Sequence, residues 1–281
     1  TNHIYNELDK GHDVCMIYLD VSKAFDKVWH KGLLHKLECL GVGGMLLKWF
    51  ESYLSDRMQR VVIKGQSSEW YPVDAGVPQG SVLGPLLFLI YTNDIVNNIE
   101  CSIRLFADDT CLFNTIPNSL CYMPLQRDLE RLSDWGKKWM VTFNAAKTKC
   151  ILFSRKRTNL HPPNLKLDDI PIQIVDNHKH LGLYFSNDLT WSHHINYTFE
   201  RASKRINILR SIQYKTPRSC RENIYKTMIR PIIDYGDIIY DNMKKSDIDK
   251  LESLHRQAAL VCTGAYKHTR HVSLFEELGW E

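Results

Sequence analysis

The sequence predicts an α+β fold in which a sheet packed on helices is followed by a separate helical region. Between residues 14 and 186, apolar runs of strand length alternate with segments whose apolar residues recur at helical spacing. From Trp191 onward only the helical spacing remains. Strands mixed with helices and then a series of helices are typical of an α+β core, here with mixed or antiparallel strands, and a helical subdomain.

The first predicted strand is the continuous apolar run Val14 to Leu19, which ends at Asp20. An uninterrupted apolar run indicates a strand that is buried on both faces. A carboxylate at the end of such a strand is costly unless it is paired or bound to metal. Thr1 to Gly11 has the pattern of the end of a helix that leads into this strand.

The remaining elements follow from apolar spacing and from the Gly, Pro and Asn residues between them. Up to residue 113 the pattern predicts helices Lys31–Leu40 and Met45–Leu54, a hairpin of Arg60–Lys64 and Glu69–Val73 joined through Gly65-Gln66-Ser67, a helix from Ser81 or Val82 to about Asn97, and strands Ile103–Phe106 and Cys111–Phe113. Beyond it the pattern predicts helix Pro124–Trp139, strands Cys150–Phe153, Ile170–Val175 and His180–Phe185, and helices Ile195–Ile212, Cys220–Tyr235 and Asp247–Cys262.

Composition excludes several classes of protein. With 281 residues, 44% of them hydrophobic and 24% charged, the chain is neither disordered nor fibrous. Its longest apolar run, Pro85 to Tyr91, is too short to cross a membrane. The eight cysteines show no zinc-ligand spacing and fit reduced, buried thiols. Because the sequence starts at Thr1 without Met and ends inside an apolar pattern, we expect it to be a piece of a longer polypeptide.

Basic residues are unevenly distributed although the formal net charge is only +4. Between Glu200 and Arg230 there are nine basic residues against two acidic ones. A second cluster contains Lys147, Lys149, Arg155, Lys156 and Arg157. Such clusters are commonly a solvated face, and they are also what a nucleic-acid ligand requires.

Two adjacent carboxylates, Asp108 and Asp109, lie between two predicted strands, so they are expected at the turn of a hairpin. One interpretation is a solvated hairpin tip, because acidic residues are common in turns. The other is a pair of carboxylates held for divalent metal, which requires a further carboxylate from another strand.

The Gly- and Pro-rich loop Ala75 to Ser81 opens a predicted helix. Free backbone N–H groups at a helix N-terminus can hold a nucleotide or a phosphate. The alternative is an ordinary helix cap, and the loop alone does not decide between them.

Three segments resemble, in order and on the expected elements, the motifs of the palm of reverse transcriptases: Tyr18 to Val28, Gly76 to Pro85, and Phe106 to Asp109. Their amino-acid sequences are similar to those of non-LTR retrotransposons, and most similar to those of the jockey-like branch. Asn144 to Phe153 resembles the family's fourth palm motif and His180-Leu181-Gly182 its primer-grip region. The resemblance implies a right-hand polymerase fold with residues 1–13 ending the fingers, 14–186 forming the palm, and 187–281 the helical thumb and the start of a C-terminal extension.

The resemblance also implies an RNA-directed DNA polymerase that takes an RNA template, a DNA primer and deoxynucleoside triphosphates. Phosphoryl transfer of this kind uses two Mg²⁺ ions, for which Mn²⁺ is a substitute, held by a few carboxylates. By resemblance, Asp20 and Asp108 bridge the metals and Asp109 is a weaker ligand. Asp26 is the rival of Asp20 within its motif, and we expect it to be structural, at the start of the next helix.

Three further residues receive roles from the resemblance. Phe25 is either a core aromatic or the steric gate that excludes a ribose 2′-hydroxyl. Gln79 and Gly80 are expected to contact the incoming nucleotide and the template base, the glycine because it permits close backbone approach.

The basic residues have similar alternatives. Lys147 is a candidate general acid for the leaving pyrophosphate, with Lys149 as its competitor and a solvated lysine as the alternative. The basic run that includes Arg201, Lys204, Arg205 and Arg210 would follow the phosphates of template and primer.

One departure limits these expectations. Only nineteen residues precede Asp20, so most of the fingers are missing, and we expect the chain to polymerise poorly by itself. A non-catalytic or repurposed nucleic-acid-binding remnant is therefore the alternative function. No membrane association is expected, the oligomeric state stays open, and the family resemblance implies a nuclear location.

Overall fold

The computed structural model describes residues 1–117, 122–156 and 164–280. Backbone contacts divide the chain into two compact units, Asn2–Val175 and Asp176–Glu281, with Thr1 grouped in the second. The sequence placed the boundary later, after residue 186. The hairpin that follows Asp176 therefore groups with the helices rather than with the main sheet. Arg157 and Cys121, from the second basic cluster and the cysteine set, lie outside the described residues.

The first unit contains the interleaved strands and helices that the sequence predicts. Its helices are α1 (Asn2–Asp9), α2 (His30–Cys39), α3 (Gly44–Leu54), α4 (Leu83–Thr92) and α5 (Met123–Lys138), with 3₁₀ turns at Ala24–Lys27 and Asn93–Val96. Its strands are β1 (Asp13–Leu19), β2 (Met58–Gln59), β3 (Val62–Ile63), β4 (Gln66–Ser67), β5 (Tyr71–Pro72), β6 (Ser102–Phe106), β7 (Asp109–Ile116), β8 (Lys149–Phe153), β9 (Lys166–Leu167), β10 (Ile170–Pro171) and β11 (Gln173–Ile174).

A five-stranded sheet in the order β11-β8-β1-β7-β6 forms the centre of this unit. Strand β1 pairs antiparallel with both β7 and β8, while β11 joins β8 in parallel, so the sheet is mixed. Nearly every residue of β1 is buried, as its uninterrupted apolar run predicts. Leu125, Leu129 and Leu132 of α5 recur at helical spacing and pack on the same core as Ile17 and Leu112.

A second core of this unit holds the segments that flank the candidate site. Leu33 and Leu37 of α2 pack with Leu87 and Phe88 of α4. The chain just beyond β1 and the loop before α4 are anchored in the same cluster through further buried residues, Ala24, Val28 and Val77.

A buried carboxylate ties α5 to the start of β6. Asp128 has no exposed surface and accepts hydrogen bonds from the backbone N–H groups of Glu100 and Cys101 and from Arg131. Burial by itself would raise the pKa of Asp128, but these hydrogen bonds outweigh it and hold the pKa below its ordinary value. The ionised carboxylate is therefore the form that the fold prefers.

Two predicted strands are each divided into two in the structure, so both predictions were wrong. One segment changes its partner strand, and the other contains a turn. The segment Ile170–Val175 divides into β10, which pairs with β9, and β11, which joins the main sheet. The segment His180–Phe185 is broken by a two-residue turn at Leu181 and Gly182, both with positive φ. Because leucine is apolar, the first residue of this turn continued the apolar pattern, and the pattern did not reveal the turn.

The predicted hairpin before the loop of residues 75–81 exists, but its turn differs. Strand β3 pairs with β4, and β2 pairs with β5. The turn consists of Lys64 and Gly65, with φ of 49° and 82°, and Gln66 and Ser67 are already in the strand. Two consecutive positive φ values are what a tight two-residue hairpin turn requires.

The second unit is a helical bundle preceded by a hairpin. Its elements are β12 (Asn177–His180), β13 (Leu183–Ser186), α6 (Ser192–Ser211), α7 (Arg218–Ile224), α8 (Arg230–Ile233), α9 (Lys245–Thr263) and α10 (His271–Leu278), with 3₁₀ turns at Gln213–Lys215 and Asp237–Ile239. The predicted helix Cys220–Tyr235 is α7 and α8 joined by a π-helical turn at Tyr225–Ile229. Pro231 lacks a backbone N–H, which accounts for irregular hydrogen bonding in the preceding turn.

The core of this unit is contributed by α6, the α7 to α8 segment, α9 and α10, with Ile195, Tyr225, Leu254 and Leu274 among its fully buried residues. Within the described ranges, no helix combines the length and apolar character that crossing a bilayer requires.

Candidate active site

Three aspartates from distant parts of the sequence lie at one end of two paired strands. The register pairs Leu19 of β1 with Thr110 of β7, and Asp20 follows β1 directly. Asp109 is the first residue of β7, and Asp108 occupies the two-residue turn together with Ala107, whose φ is 52°. Extending the register by one residue places Asp20 opposite Asp109. The fold thus places the backbone positions of the three predicted carboxylates at the same end of β1 and β7.

The backbone around Asp20 is fixed by the segment that precedes β8. The N–H of Asn144 donates to the carbonyl of Asp20 at 2.8 Å, and the N–H of Ser22 donates to the carbonyl of Thr142 at 2.9 Å. Oδ2 of the Asp20 side chain is buried and has no hydrogen-bond partner among the described residues. A buried carboxylate oxygen in this state is an unsatisfied acceptor, which favours a ligand at this point.

The nearest cation to that oxygen is Lys147, whose Nζ lies 3.8 Å from Asp20 Oδ2. Its competitor Lys149 is occupied elsewhere, because its Nζ donates to the carbonyl of Ala146 at 2.9 Å and to Oε1 of Gln173 at 2.6 Å. Lys149 therefore holds the start of β8 to β11. Of the two candidate lysines, only Lys147 faces the carboxylate end of the sheet.

The carboxylates at this end of β1 and β7 fit a divalent ion whose coordination is completed by substrate oxygens. Asp108 and Asp109 are exposed, and Asp20 supplies the buried oxygen. Within the described part of the chain, no three His, Cys, Asp or Glu side chains come close enough together to hold a metal by themselves. Mg²⁺ is usually held by one or two carboxylates, with water and phosphate oxygens in the remaining positions. The edge therefore offers carboxylate ligands but not an all-protein cage.

The 3₁₀ turn Ala24–Lys27 and the loop before α4 are bound to each other backbone to backbone. The N–H of Gly76 donates to the carbonyl of Val28, and the N–H of Val77 to that of Phe25, both at 2.8 Å. Gly76 has a φ of +91°, and a Cβ added there would lie 2.8 to 2.9 Å from backbone atoms of Asp26. Only glycine allows this approach.

Phe25 combines features of both interpretations given to it. Its ring stacks on Phe88 with the centroids 4.6 Å apart, so it belongs to the second core. It is nevertheless only partly buried. Core packing thus fixes the ring in one orientation while part of it stays available to a ligand.

Asp26 does not begin the next helix, and the sequence expectation on this point was wrong. It lies inside the 3₁₀ turn, and α2 starts only at His30. Its Oδ1 accepts a hydrogen bond from Nε2 of Gln79 at 2.7 Å. Asp26 therefore positions the side chain of Gln79.

In the loop Ala75 to Ser81 the structure shows an ordinary helix cap. Ser81 is the helix cap, since its Oγ accepts from the N–H of Gly84 at 2.9 Å and donates to the carbonyl of Pro78 at 2.7 Å. Gln79 and Gly80 remain exposed, and Gly80 has a φ of +78° with open space on the side where a Cβ would be. The cap therefore leaves both residues available to a ligand.

A cavity of about 740 Å³ adjoins this loop and contains basic residues that the sequence reasoning missed. Lys23, Lys27 and Arg57 line it together with Asp26 and Gln79. Lys23 and Lys27 flank Phe25 in the sequence and were available as a signal. Arg57 was not, because only the pairing of β2 with β5 returns it to the loop.

The basic clusters divide into paired and unpaired side chains. In the cluster of the first unit, Arg155 pairs with Asp9 at 2.7 Å and Lys156 with Asp13 at 2.9 Å. These two basic residues are therefore engaged in structural ion pairs.

On α6 the predicted nucleic-acid-binding residues are all exposed, and their contacts differ. Arg201 lies over the ring of Tyr197 at 5.3 Å, and Arg205 donates to the carbonyl of Met228. Arg210 donates to Asn207 at 2.8 Å.

Comparison with known proteins gives consistent matches. A family model described as reverse transcriptase (RNA-dependent DNA polymerase) matches residues 3–198. The RNA-directed DNA polymerase from mobile element jockey of Drosophila melanogaster is 31% identical over 91% of this chain and 29% of its own length. The probable RNA-directed DNA polymerase from transposon X-element of the same species is 29% identical over 93% of this chain and 30% of its own. The chain thus spans about 30% of the length of these curated relatives.

Among solved structures, apo telomerase from Candida tropicalis superimposes with a TM-score of 0.50 at 11% identity, covering 98% of this chain and 46% of that one. At this identity the match concerns the fold, and it agrees with a right-hand polymerase architecture.

Proposed function

This chain belongs to the reverse transcriptase (RNA-dependent DNA polymerase) family, and from that membership we propose that it is the part of a non-LTR retrotransposon polymerase that adds deoxynucleotides to a primer on an RNA template. The observation that carries the proposal is the position of Asp20, which follows β1 opposite Asp109 and next to the turn that holds Asp108. Carboxylates at this position are what nucleotidyl transfer requires.

Asp20, Asp108 and Asp109 are the residues that would hold the divalent ions, Mg²⁺ or in its place Mn²⁺. Such ions, when bound, neutralise charge on the triphosphate and acidify the attacking 3′-hydroxyl. Oδ2 of Asp20 is buried and accepts no hydrogen bond from the described residues, which supports this assignment. So does the exposure of the two hairpin carboxylates, which leaves room for substrate oxygens beside them.

Lys147 is suited to the proton transfer that accompanies loss of pyrophosphate. Its Nζ stands 3.8 Å from Asp20 Oδ2, so it is next to the carboxylates and within reach of a triphosphate held there. In the proposed step the primer 3′-oxygen, which gives up its proton to water, forms a bond to the α-phosphorus. The bond from that phosphorus to the bridging oxygen breaks, and the Nζ proton passes to that oxygen as pyrophosphate leaves. A positioned general acid typically contributes about 10²- to 10⁴-fold.

Phe25, Gln79 and Gly80 form the proposed nucleotide-selecting surface. Stacking on Phe88 keeps the Phe25 ring in one place, which a steric gate against a 2′-hydroxyl requires. The hydrogen bond from Gln79 to Asp26 holds the loop next to that ring. The cavity with Lys23, Lys27 and Arg57 supplies positive charge for the phosphates.

The second candidate is a nucleic-acid-binding protein without catalysis. It is favoured by the exposed basic residues of α6, which suit binding of a polyanion and require no chemistry. The two candidates differ in whether the carboxylates do chemistry or only shape a surface.

Primer extension on an RNA template with Mg²⁺ separates the two candidates, using the complete open reading frame that contains this chain. We expect extension by the unaltered protein and its loss in Asp108→Ala and Asp20→Asn. Asp134→Ala serves as the matched control, because this exposed acid of α5 lies outside the carboxylate edge and should leave extension unchanged. A protein that binds an RNA–DNA hybrid but extends no primer would establish the second candidate instead.

A further inference from the structure

The peptide group between Gly76 and Val77 is held at both of its polar atoms. Its carbonyl oxygen, which belongs to Gly76, lies 2.7 Å from Nε2 of His30. A carbonyl oxygen can only accept a hydrogen bond, so Nε2 of His30 carries the proton and donates it. The N–H of the same peptide group, which belongs to Val77, donates to the carbonyl of Phe25 at 2.8 Å. Together the two hydrogen bonds fix the plane of this peptide group.

The donor side of the contact is anchored by the packing of α2. His30 is the first residue of α2, and Leu33 and Leu37 of that helix are buried in the second core of the unit. The N–H of the preceding residue, Trp29, donates to the hydroxyl of Tyr91 in α4 at 3.4 Å. The imidazole of His30 therefore extends from a helix end that is itself held in place.

The acceptor side is a loop whose composition permits several backbone conformations. Gly76 and Gly80 both have positive φ, +91° and +78°, and glycine adopts positive and negative φ about equally readily. Without the donor from His30, the peptide group after Gly76 could rotate, and this rotation would also break the hydrogen bond from Val77 to Phe25. The imidazole thus restricts a loop that its own sequence leaves adjustable.

This peptide group belongs to the loop that carries part of the proposed nucleotide-selecting surface. Gly76, Val77 and Gln79 line the cavity of about 740 Å³. Within the part of the chain that the structure describes, His30 is not among the residues that line this cavity. The backbone of Phe25, the proposed steric gate, is bonded to the same peptide group. Any effect of His30 on a bound nucleotide therefore passes through the loop and the gate.

We propose that His30 is a positioning residue for selection of the incoming deoxynucleotide, because its hydrogen bond to the carbonyl of Gly76 fixes the loop relative to Phe25. The inference deepens the proposed function and rests on it, since the loop and the gate select a nucleotide only if one binds beside them. A binding surface must be held within about 0.5 Å of its productive geometry, which requires supporting hydrogen bonds of this kind.

Substitutions of His30 separate the hydrogen bond from the size of the side chain. His30→Phe keeps a ring and removes the donor. His30→Gln keeps the donor, because the amide nitrogen of glutamine lies as many bonds from Cα as Nε2 of histidine, whereas that of His30→Asn lies one bond closer and falls short. His35→Phe is the matched control, since His35 is exposed on the same helix and contacts Cys39 instead of the loop. If His30→Phe does not fold, His30→Asn against His30→Gln makes the same comparison between two polar side chains.

The first readout is steady-state primer extension by the complete open reading frame at a series of deoxynucleotide concentrations. We expect His30→Phe and His30→Asn to raise the KM for the deoxynucleotide about fivefold, the effect of one lost hydrogen bond, while kcat changes by less than about twofold. Discrimination against ribonucleotides should fall by a similar factor, and the KM for the primer–template should not change. His30→Gln and His35→Phe should behave like the unaltered protein. Equal KM values in His30→Gln and His30→Phe would overturn the inference, because the donor would then be irrelevant.

Hydrogen exchange of the Val77 amide gives a second readout, which needs no activity and uses the full 281-residue chain. We expect His30→Phe to accelerate this exchange about fivefold, because the peptide group loses one of its two restraints. His30→Gln and His35→Phe should leave the exchange rate unchanged. Equal acceleration at Val77 and at Leu112, a buried residue of β7, would indicate a general loss of stability and would contradict a positioning role.

Failure of this inference can be distinguished from failure of the proposed function. If the complete protein extends no primer but His30→Phe accelerates exchange at Val77 alone, the proposed function fails and the restraint of the loop by His30 stands. If primers are extended while His30→Phe leaves the deoxynucleotide KM and the discrimination against ribonucleotides unchanged, the function stands and the positioning role of His30 fails.

Discussion

The close approach of the loop at Gly76 to the 3₁₀ turn predicts a large effect of the smallest substitution, Gly76→Ala. The added methyl would lie 2.8 to 2.9 Å from the O, C and Cα atoms of Asp26, which are backbone atoms and cannot turn aside. The loop must therefore separate from the turn, and Gln79 would lose its hydrogen bond with Asp26. The substitution thus acts on folding stability and on the candidate site together.

The magnitude follows from the contacts that would be lost. A left-handed backbone costs an alanine about 1 to 2 kcal/mol relative to glycine. Moving the loop also breaks the 2.8 Å hydrogen bonds from Gly76 to Val28 and from Val77 to Phe25. Each such bond contributes about 1 kcal/mol. We therefore expect Gly76→Ala to lower the free energy of unfolding by about 3 to 4 kcal/mol.

Gly41 provides the control for this substitution. Its φ of +87° is close to the +91° of Gly76, but nothing lies within 4 Å of the position of its Cβ. Gly41→Ala should therefore cost only the backbone strain, about 1 to 2 kcal/mol, and should leave primer extension intact. Denaturant unfolding of both variants measures the difference, with primer extension as the second readout. Equal losses of stability would refute the backbone-to-backbone contact between the loop and the turn.

Three more predictions concern single side chains. Phe25→Val should raise incorporation of ribonucleotides relative to deoxynucleotides by about 10- to 200-fold, measured by competitive primer extension, and unchanged selectivity would exclude the gate. Lys147→Gln should lower the single-turnover rate of extension by about 10²- to 10⁴-fold with little loss of stability. Lys149→Gln should mainly reduce stability, because its amine bridges Ala146 and Gln173. Similar extension rates in the two variants would contradict the assignment of Lys147. Asp128→Asn should cost about 2 to 3 kcal/mol at neutral pH. Since hydrogen bonds hold the pKa of Asp128 below its ordinary 3.8, its contribution is complete above about pH 4 and is lost as the pH falls through the lowered value, so unfolding curves of the two proteins should converge in acid.

The spacing of apolar residues predicted helices and strands well wherever one uninterrupted pattern corresponded to one helix or one strand. The apolar run before Asp20 is strand β1, and the helical spacing from Pro124 is helix α5. The prediction was wrong where backbone conformation interrupted an apolar pattern. The turn at Leu181 and Gly182 is an example, because leucine in a left-handed conformation gives no compositional signal.

The sequence predicted which residues belong to the candidate site, but not which contacts their side chains make. The sequence named Lys147 and Lys149 as alternatives, and the structure shows that Lys149 contacts Gln173 where β8 pairs with β11, while Lys147 faces Asp20. It treated Asp26 as the start of a helix, whereas the loop before α4 makes it the partner of Gln79. In each case the deciding contact joins segments that are far apart in the sequence.

By itself the sequence determined the class of fold and the family, and it named three candidate carboxylates, because periodicity and short motifs are local properties of the chain. Only the tertiary structure decided that the end of β1 meets the start of β7, since strand register is set by burial of side chains from both strands. It alone also placed Nε2 of His30 against the carbonyl of Gly76, because that contact needs helix α2 and the loop before α4 to pack.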